Sequence, residues 1–192
     1  LTAMQRIDGA QPPLGVTTHG ADPEGAGRMN PGIVRTRRGI VGFERTVQRH
    51  PPIRRLTYIE AIIGDEWVKK LRDATEEMVE RSRKVTRSDP VFDLEPDHRP
   101  SAPRLRRVSN PTEQHPVFWE YVNRSVLPDA VADLVGPNVK FHHSKLNFKW
   151  SKGGEEVKWH YDISFWPHTN YSPLTVGTYI YDCGMDNGPL GV

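Results

Sequence analysis

Trp159-His160-Tyr161-Asp162 puts an imidazole and a carboxylate two residues apart in a stretch that reads as a β-strand. Successive side chains of a strand point to opposite faces, so His160 and Asp162 project from the same one. Together they are two thirds of a 2-His-1-carboxylate set, which holds non-haem Fe(II) and leaves positions open for substrate and oxygen. Trp159 and Tyr161 back the other face with apolar rings. Phe165, Trp166 and His168 follow at once. Phe165 suits a core, whereas His168 sits beyond Pro167 in an expected turn, a poor place for a third ligand. A His-x-Asp pair is a short signal, and a solvated pair on a surface strand is the plain alternative.

A second row of polar groups lies upstream. In the strand expected over 139–149, alternation gives one face Phe141, His143, Lys145, Asn147 and Lys149. The other face takes His142, Ser144, Leu146 and Phe148. Polar side chains at alternate positions suit a strand that lines a wet, charged cavity, or an edge strand with a solvated face. A lysine beside an asparagine has the donors to hold a carboxylate.

These strands need a scaffold. Trp67, Val68, Leu71, Thr75, Met78, Val79 and Ser82 recur at spacings of three and four, which predicts a helix over 65–84. Asp65 and Glu66 in its first turn and basic residues in its last complement the helix dipole. Further helices are expected over 114–126 and 128–135, the latter closed by Gly136-Pro137. Between them and the first helix, 88–116 holds six prolines and reads as a long ordered loop. Its Arg99, Arg104, Arg106 and Arg107 suit either a solvated basic loop or contact with an anionic substrate. After 136 the period changes from helical to alternating, with strands expected over 139–149, 157–162 and 174–182.

Composition narrows the partners. The net charge of +2 is too small to argue for nucleic acid or an anionic membrane. No apolar run is long enough for a membrane span, and no apolar signal segment opens the chain. A single cysteine, Cys183, excludes an internal disulfide framework and fits a reducing compartment. The expected partner is a small-molecule substrate, without nucleic acid or membrane, in the cytoplasm. Oligomeric state is not legible. Residues 1–55 are rich in Gly and Pro, take all their basic groups from Arg, and show no sustained periodicity. They read as a disordered leader, with a basic arm at Arg35, Arg37 and Arg38 as the alternative. Residues 56–192 read as the N-terminal part of a catalytic domain.

Several of these segments come in a recognisable order. Gly136-Pro137-Asn138 leads into His143-Ser144-Lys145-Leu146-Asn147-Phe148-Lys149. Trp159-His160-Tyr161-Asp162 and Trp166 follow, then Asp186-Asn187-Gly188-Pro189-Leu190. Over 56–192 this resembles the phytanoyl-CoA dioxygenase family, including its ectoine hydroxylase-like members. The resemblance implies a double-stranded β-helix, the jelly-roll or cupin-like barrel, of which only the first part is present. It implies Fe(II) as cofactor and 2-oxoglutarate as cosubstrate, with hydroxylation of an unactivated C–H bond and succinate and CO2 as coproducts. It places His160 and Asp162 on the metal, Lys145 and Asn147 near 2-oxoglutarate, and His143 and Trp166 toward substrate. Asp162 favours hydroxylation over halogenation, because related halogenases lack the carboxylate.

The family's distal histidine ligand and its 2-oxoglutarate-binding arginine are expected beyond residue 192. The chain therefore reads as a piece of a longer protein, and the piece by itself is expected to be inactive. The alternatives are a cupin-like enzyme that uses its metal differently, a non-catalytic binding domain, and a zinc hydrolase. The last draws on more closely spaced histidines than are present here.

Overall fold

Eight strands among the described residues form one sheet in which every pairing is antiparallel. The structure is a computed structural model that describes residues 2–6, 19–20, 41–47, 53–59, 62–150, 154 and 173–182. In chain order the strands are β1 (Thr2–Arg6), β2 (His19–Gly20), β3 (Val41–Val47), β4 (Ile53–Ile59), β5 (Phe92–Leu94), β6 (Leu105–Ser109), β7 (Val139–Asn147) and β8 (Pro173–Thr178). Across the sheet they run β2-β4-β3-β8-β1-β7-β6-β5. The segment 1–55, expected to lack regular structure, supplies β1, β2, β3 and the start of β4. Thr, Val, Phe and Ile in Val41–Val47 and Ile53–Ile59 favour the extended backbone. None of the segment's prolines falls within these strands, so composition averaged over the whole segment hides the short runs.

Four helices are described: α1 (Asp65–Ser82), α2 (Pro111–Gln114), α3 (Pro116–Arg124) and α4 (Leu127–Val135). α1 follows the expected 65–84 closely. Its buried stripe is Val68, Leu71, Ala74, Thr75, Met78 and Ser82, with Trp67 and Val79 packed at its margin. The helix expected over 114–126 is broken at His115. Pro116 has no N–H, and it forces the preceding residue out of the helical region. His115 is extended at φ −150° and caps α3, its side chain accepting from the Val117 N–H. Gly136 ends α4 at φ 96°, a conformation that costs a glycine little.

The proline-rich stretch 88–116 is not simply a loop. It contains the β5–β6 hairpin, with Pro96, Pro100 and Pro103 confined to the connection between the strands. Asp89 starts the hairpin by accepting from the Val91 and Phe92 N–H groups at 2.8 and 2.7 Å. His98 braces the connection. Its Nδ1 accepts from the Arg104 N–H at 2.9 Å, and its Nε2 lies 3.1 Å from the Val85 carbonyl just after α1. Accepting at Nδ1 puts the ring proton on Nε2, the donor that Val85 needs.

The core lies where the helices meet one face of the sheet. Met78, Leu105, Val108, Leu127, Val131, Val135, Leu174 and Val176 are all essentially inaccessible. Trp67 meets Tyr121 edge-on at 5.6 Å, and Arg72 reaches from α1 to the Ile180 carbonyl at 2.6 Å. Among the described residues no helix is long and apolar enough to cross a membrane.

Candidate active-site face of the sheet

β7 carries the polar row, and its geometry departs from simple alternation. Opposite it, Ala3 pairs with His143 and Met4 with Phe141, so two steps of β7 match one step of β1. His142 is the extra residue of a β-bulge, which re-aims side chains on the bulged strand. Beyond the bulge the phase is reversed. Val139 and Phe141 pack on the core from one side of it, Leu146 and Phe148 from the other. Ser144 is buried between them, 3% exposed, with its hydroxyl 3.0 Å from that of Thr112. This face therefore runs Val139, Phe141, Ser144, Leu146, Phe148, and it meets the helices.

The opposite face keeps His143, Lys145, Asn147 and Lys149 as expected, but Phe141 leaves it and His142 joins it. The two imidazoles lie with Nδ1 atoms 2.7 Å apart, ring centroids 4.9 Å apart and planes at 73°. His143 and Lys145 are half-buried and Asn147 is exposed. The pattern of buried positions in the sequence contained the clue. Apolar residues fall on odd numbers through Phe141 and on even numbers from Leu146, and one inserted residue is the simplest cause.

β6 extends the same face. Arg107 stands opposite Asn147, and Ser109 opposite Lys145. A second bulge, at Arg106, keeps Leu105 and Val108 in the core and turns Arg106 and Arg107 outward. Arg107 donates through Nη2 to Asp93 Oδ2 at 2.9 Å. Arg104 lies 3.1 Å from Asp97 and 5.9 Å from the Trp150 ring. Of the four loop arginines, two thus have acidic neighbours supplied by the same hairpin.

His160 and Asp162, expected as metal ligands, and Trp166, expected toward substrate, lie outside the described residues. Among the described residues no group of three or more His, Cys, Asp or Glu could hold a metal ion. In donor chemistry, one imidazole and one carboxylate suit Fe(II) and call for one more nitrogen ligand.

Comparison with known proteins bears on the stretch that contains both rows. A probable alpha-ketoglutarate-dependent hypophosphite dioxygenase of Stutzerimonas stutzeri is 29% identical over 134 residues, 70% of this chain and 46% of that protein. An ectoine dioxygenase of Sphingopyxis alaskensis is 29% identical over 97 residues, covering 48% and 32%. Another, of Bordetella bronchiseptica, is 25% identical over 136 residues, covering 69% and 42%. The chain thus spans less than half the length of these relatives. No solved structure matches it. The family model described as phytanoyl-CoA dioxygenase matches residues 56–192, most of the sequence, and the chain belongs to that family.

Proposed function

We propose that the protein is an Fe(II)- and 2-oxoglutarate-dependent dioxygenase that hydroxylates an unactivated C–H bond of a small molecule. The observation that carries this reading is the His160-x-Asp162 pair within the family-matched stretch. The relatives' names support 2-oxoglutarate as cosubstrate. They differ in substrate, hypophosphite against ectoine, so no substrate is carried over. The all-antiparallel sheet is compatible with the first part of a double-stranded β-helix, which we take to be the fold of the whole domain. We place the protein in the cytoplasm, in keeping with its single cysteine.

In this reading His160 and Asp162 hold the metal. When bound, Fe(II) with 2-oxoglutarate and O2 supplies the oxidation that puts one oxygen atom on the substrate and leaves succinate and CO2. The chain's own residues bind and orient. Lys145 offers an ammonium and Asn147 an amide toward the carboxylates of 2-oxoglutarate, a charge-assisted arrangement. His143 and Trp166 face the substrate. Half-burial of His143 and Lys145 reduces the competition from water and strengthens their electrostatic contacts.

The test uses the complete protein with Fe(II) and 2-oxoglutarate under anaerobic conditions. A weak visible charge-transfer band is expected, and it should vanish in His160→Ala and in Asp162→Ala. Succinate should form once oxygen is admitted. A folded protein without the band would favour a binding domain or a differently used metal.

A further inference from the structure

His142 and His143 form a pair that neither sequence alternation nor family membership describes. Adjacent residues of a regular strand face opposite ways. Here the bulge at His142 brings both rings to one face, and their Nδ1 atoms to 2.7 Å. At that distance one nitrogen donates a proton and the other accepts it.

We infer that His142 is a positioning residue for His143: their Nδ1–Nδ1 hydrogen bond fixes the His143 ring and holds the two neutral imidazoles in opposite tautomers. The chemistry allows nothing else for a neutral pair. A neutral ring carries one proton. The donor has its proton on Nδ1, so its Nε2 is bare. The acceptor has a bare Nδ1, so its Nε2 carries the proton. The pair therefore carries one N–H and one lone pair at its two Nε2 positions, which lie on the outer sides of the two rings. A single histidine would choose its tautomer with its ligand. A paired one changes tautomer only together with its partner, and its ring is oriented before the ligand arrives, which lowers the cost of binding. The functional weight of this inference rests on the proposed role of His143 toward substrate, but its geometry does not.

The test is nitrogen NMR of the full chain labelled at histidine, at about two pH units above the ordinary imidazole pKa. Signals are assigned with His142→Phe and His143→Phe. In the unaltered chain one ring of the pair should show its proton on Nδ1 and the other on Nε2. His142→Phe keeps a ring at the bulge but removes the nitrogen, so the His143 signals should shift away from the pattern they show in the unaltered chain. His142→Asn sets an amide near the position of Nδ1 and should restore the locked pattern. The same tautomer in both rings would overturn the inference, as would His143 signals that do not move in His142→Phe. The measurement on the unaltered chain decides even if a variant fails to fold. It needs neither iron nor 2-oxoglutarate, so a missing charge-transfer band would sink the proposed function and leave the pair standing.

Discussion

Tyr121 packs its ring edge-on against Trp67 and bonds Thr178 Oγ1 through its hydroxyl at 2.8 Å, linking α3 to the end of β8. Burial pushes its phenol from an ordinary value of 10.0 up to about 12, with the Thr178 bond pulling weakly the other way. The folded state thus holds the proton more tightly than the unfolded chain. The resulting stability is complete below pH 10 and is lost as pH rises toward 12, about 2–3 kcal/mol across that window. Tyr121→Phe should cost about 1 kcal/mol at neutral pH through the missing hydrogen bond. It should also lack the alkaline loss, so urea midpoints of the two proteins converge, then cross, between pH 10 and 12. His98 offers a second test. Its two bonds tie the hairpin connection to the end of α1, and His98→Ala should lower stability by about 1–3 kcal/mol in urea unfolding.

At the scale of elements, what could be read from the sequence depended on how long each periodic run was. α1 offers five turns of repeating apolar positions, and its limits came out within two residues. Met78 sits at the centre of its stripe and is fully inaccessible. Met78→Ala should cost about 2–5 kcal/mol, the usual range for emptying such a site, measured by thermal or urea unfolding. Short runs were another matter. Phe92–Leu94 and Leu105–Ser109 are too brief to show a period between prolines, although their pairing is determined by the fold. In β7 the strand was legible, and so were His143, Lys145 and Asn147 on one face. The position of Phe141 and His142 was not, because alternation assumes a regular strand and one inserted residue inverts every later assignment. The move of apolar residues from odd to even numbers signals an inserted residue, but which residue bulges depends on β1, more than a hundred residues away in sequence, which local pattern cannot supply.

For the molecule as a whole, the sheet order raises a question that the family match leaves aside, since that match begins at residue 56. β1 lies between β7 and β8, pairing Thr2 through Arg6 with β7 and Thr2 through Gln5 with β8. The polar face is therefore assembled around a strand from the first six residues, and the His142 bulge exists only in register with Ala3 and Met4. Deleting residues 1–6 would leave the backbone N–H and C=O groups of two long strands without their shared neighbour. Unpaired edges of this kind template pairing with other chains, and buried backbone groups without partners cost about 1–3 kcal/mol each. The truncated chain should thus melt earlier and less cooperatively than the intact one, and it should self-associate in light scattering after size exclusion. The locked tautomer pattern of His142 and His143 should disappear with it, because the register that creates the bulge has gone. A monomeric truncated chain with an unchanged melting temperature would show that β7 and β8 are held by the helices, through contacts such as Ser144 to Thr112 and Tyr121 to Thr178, and that β1 is an addition to a sheet that stands without it.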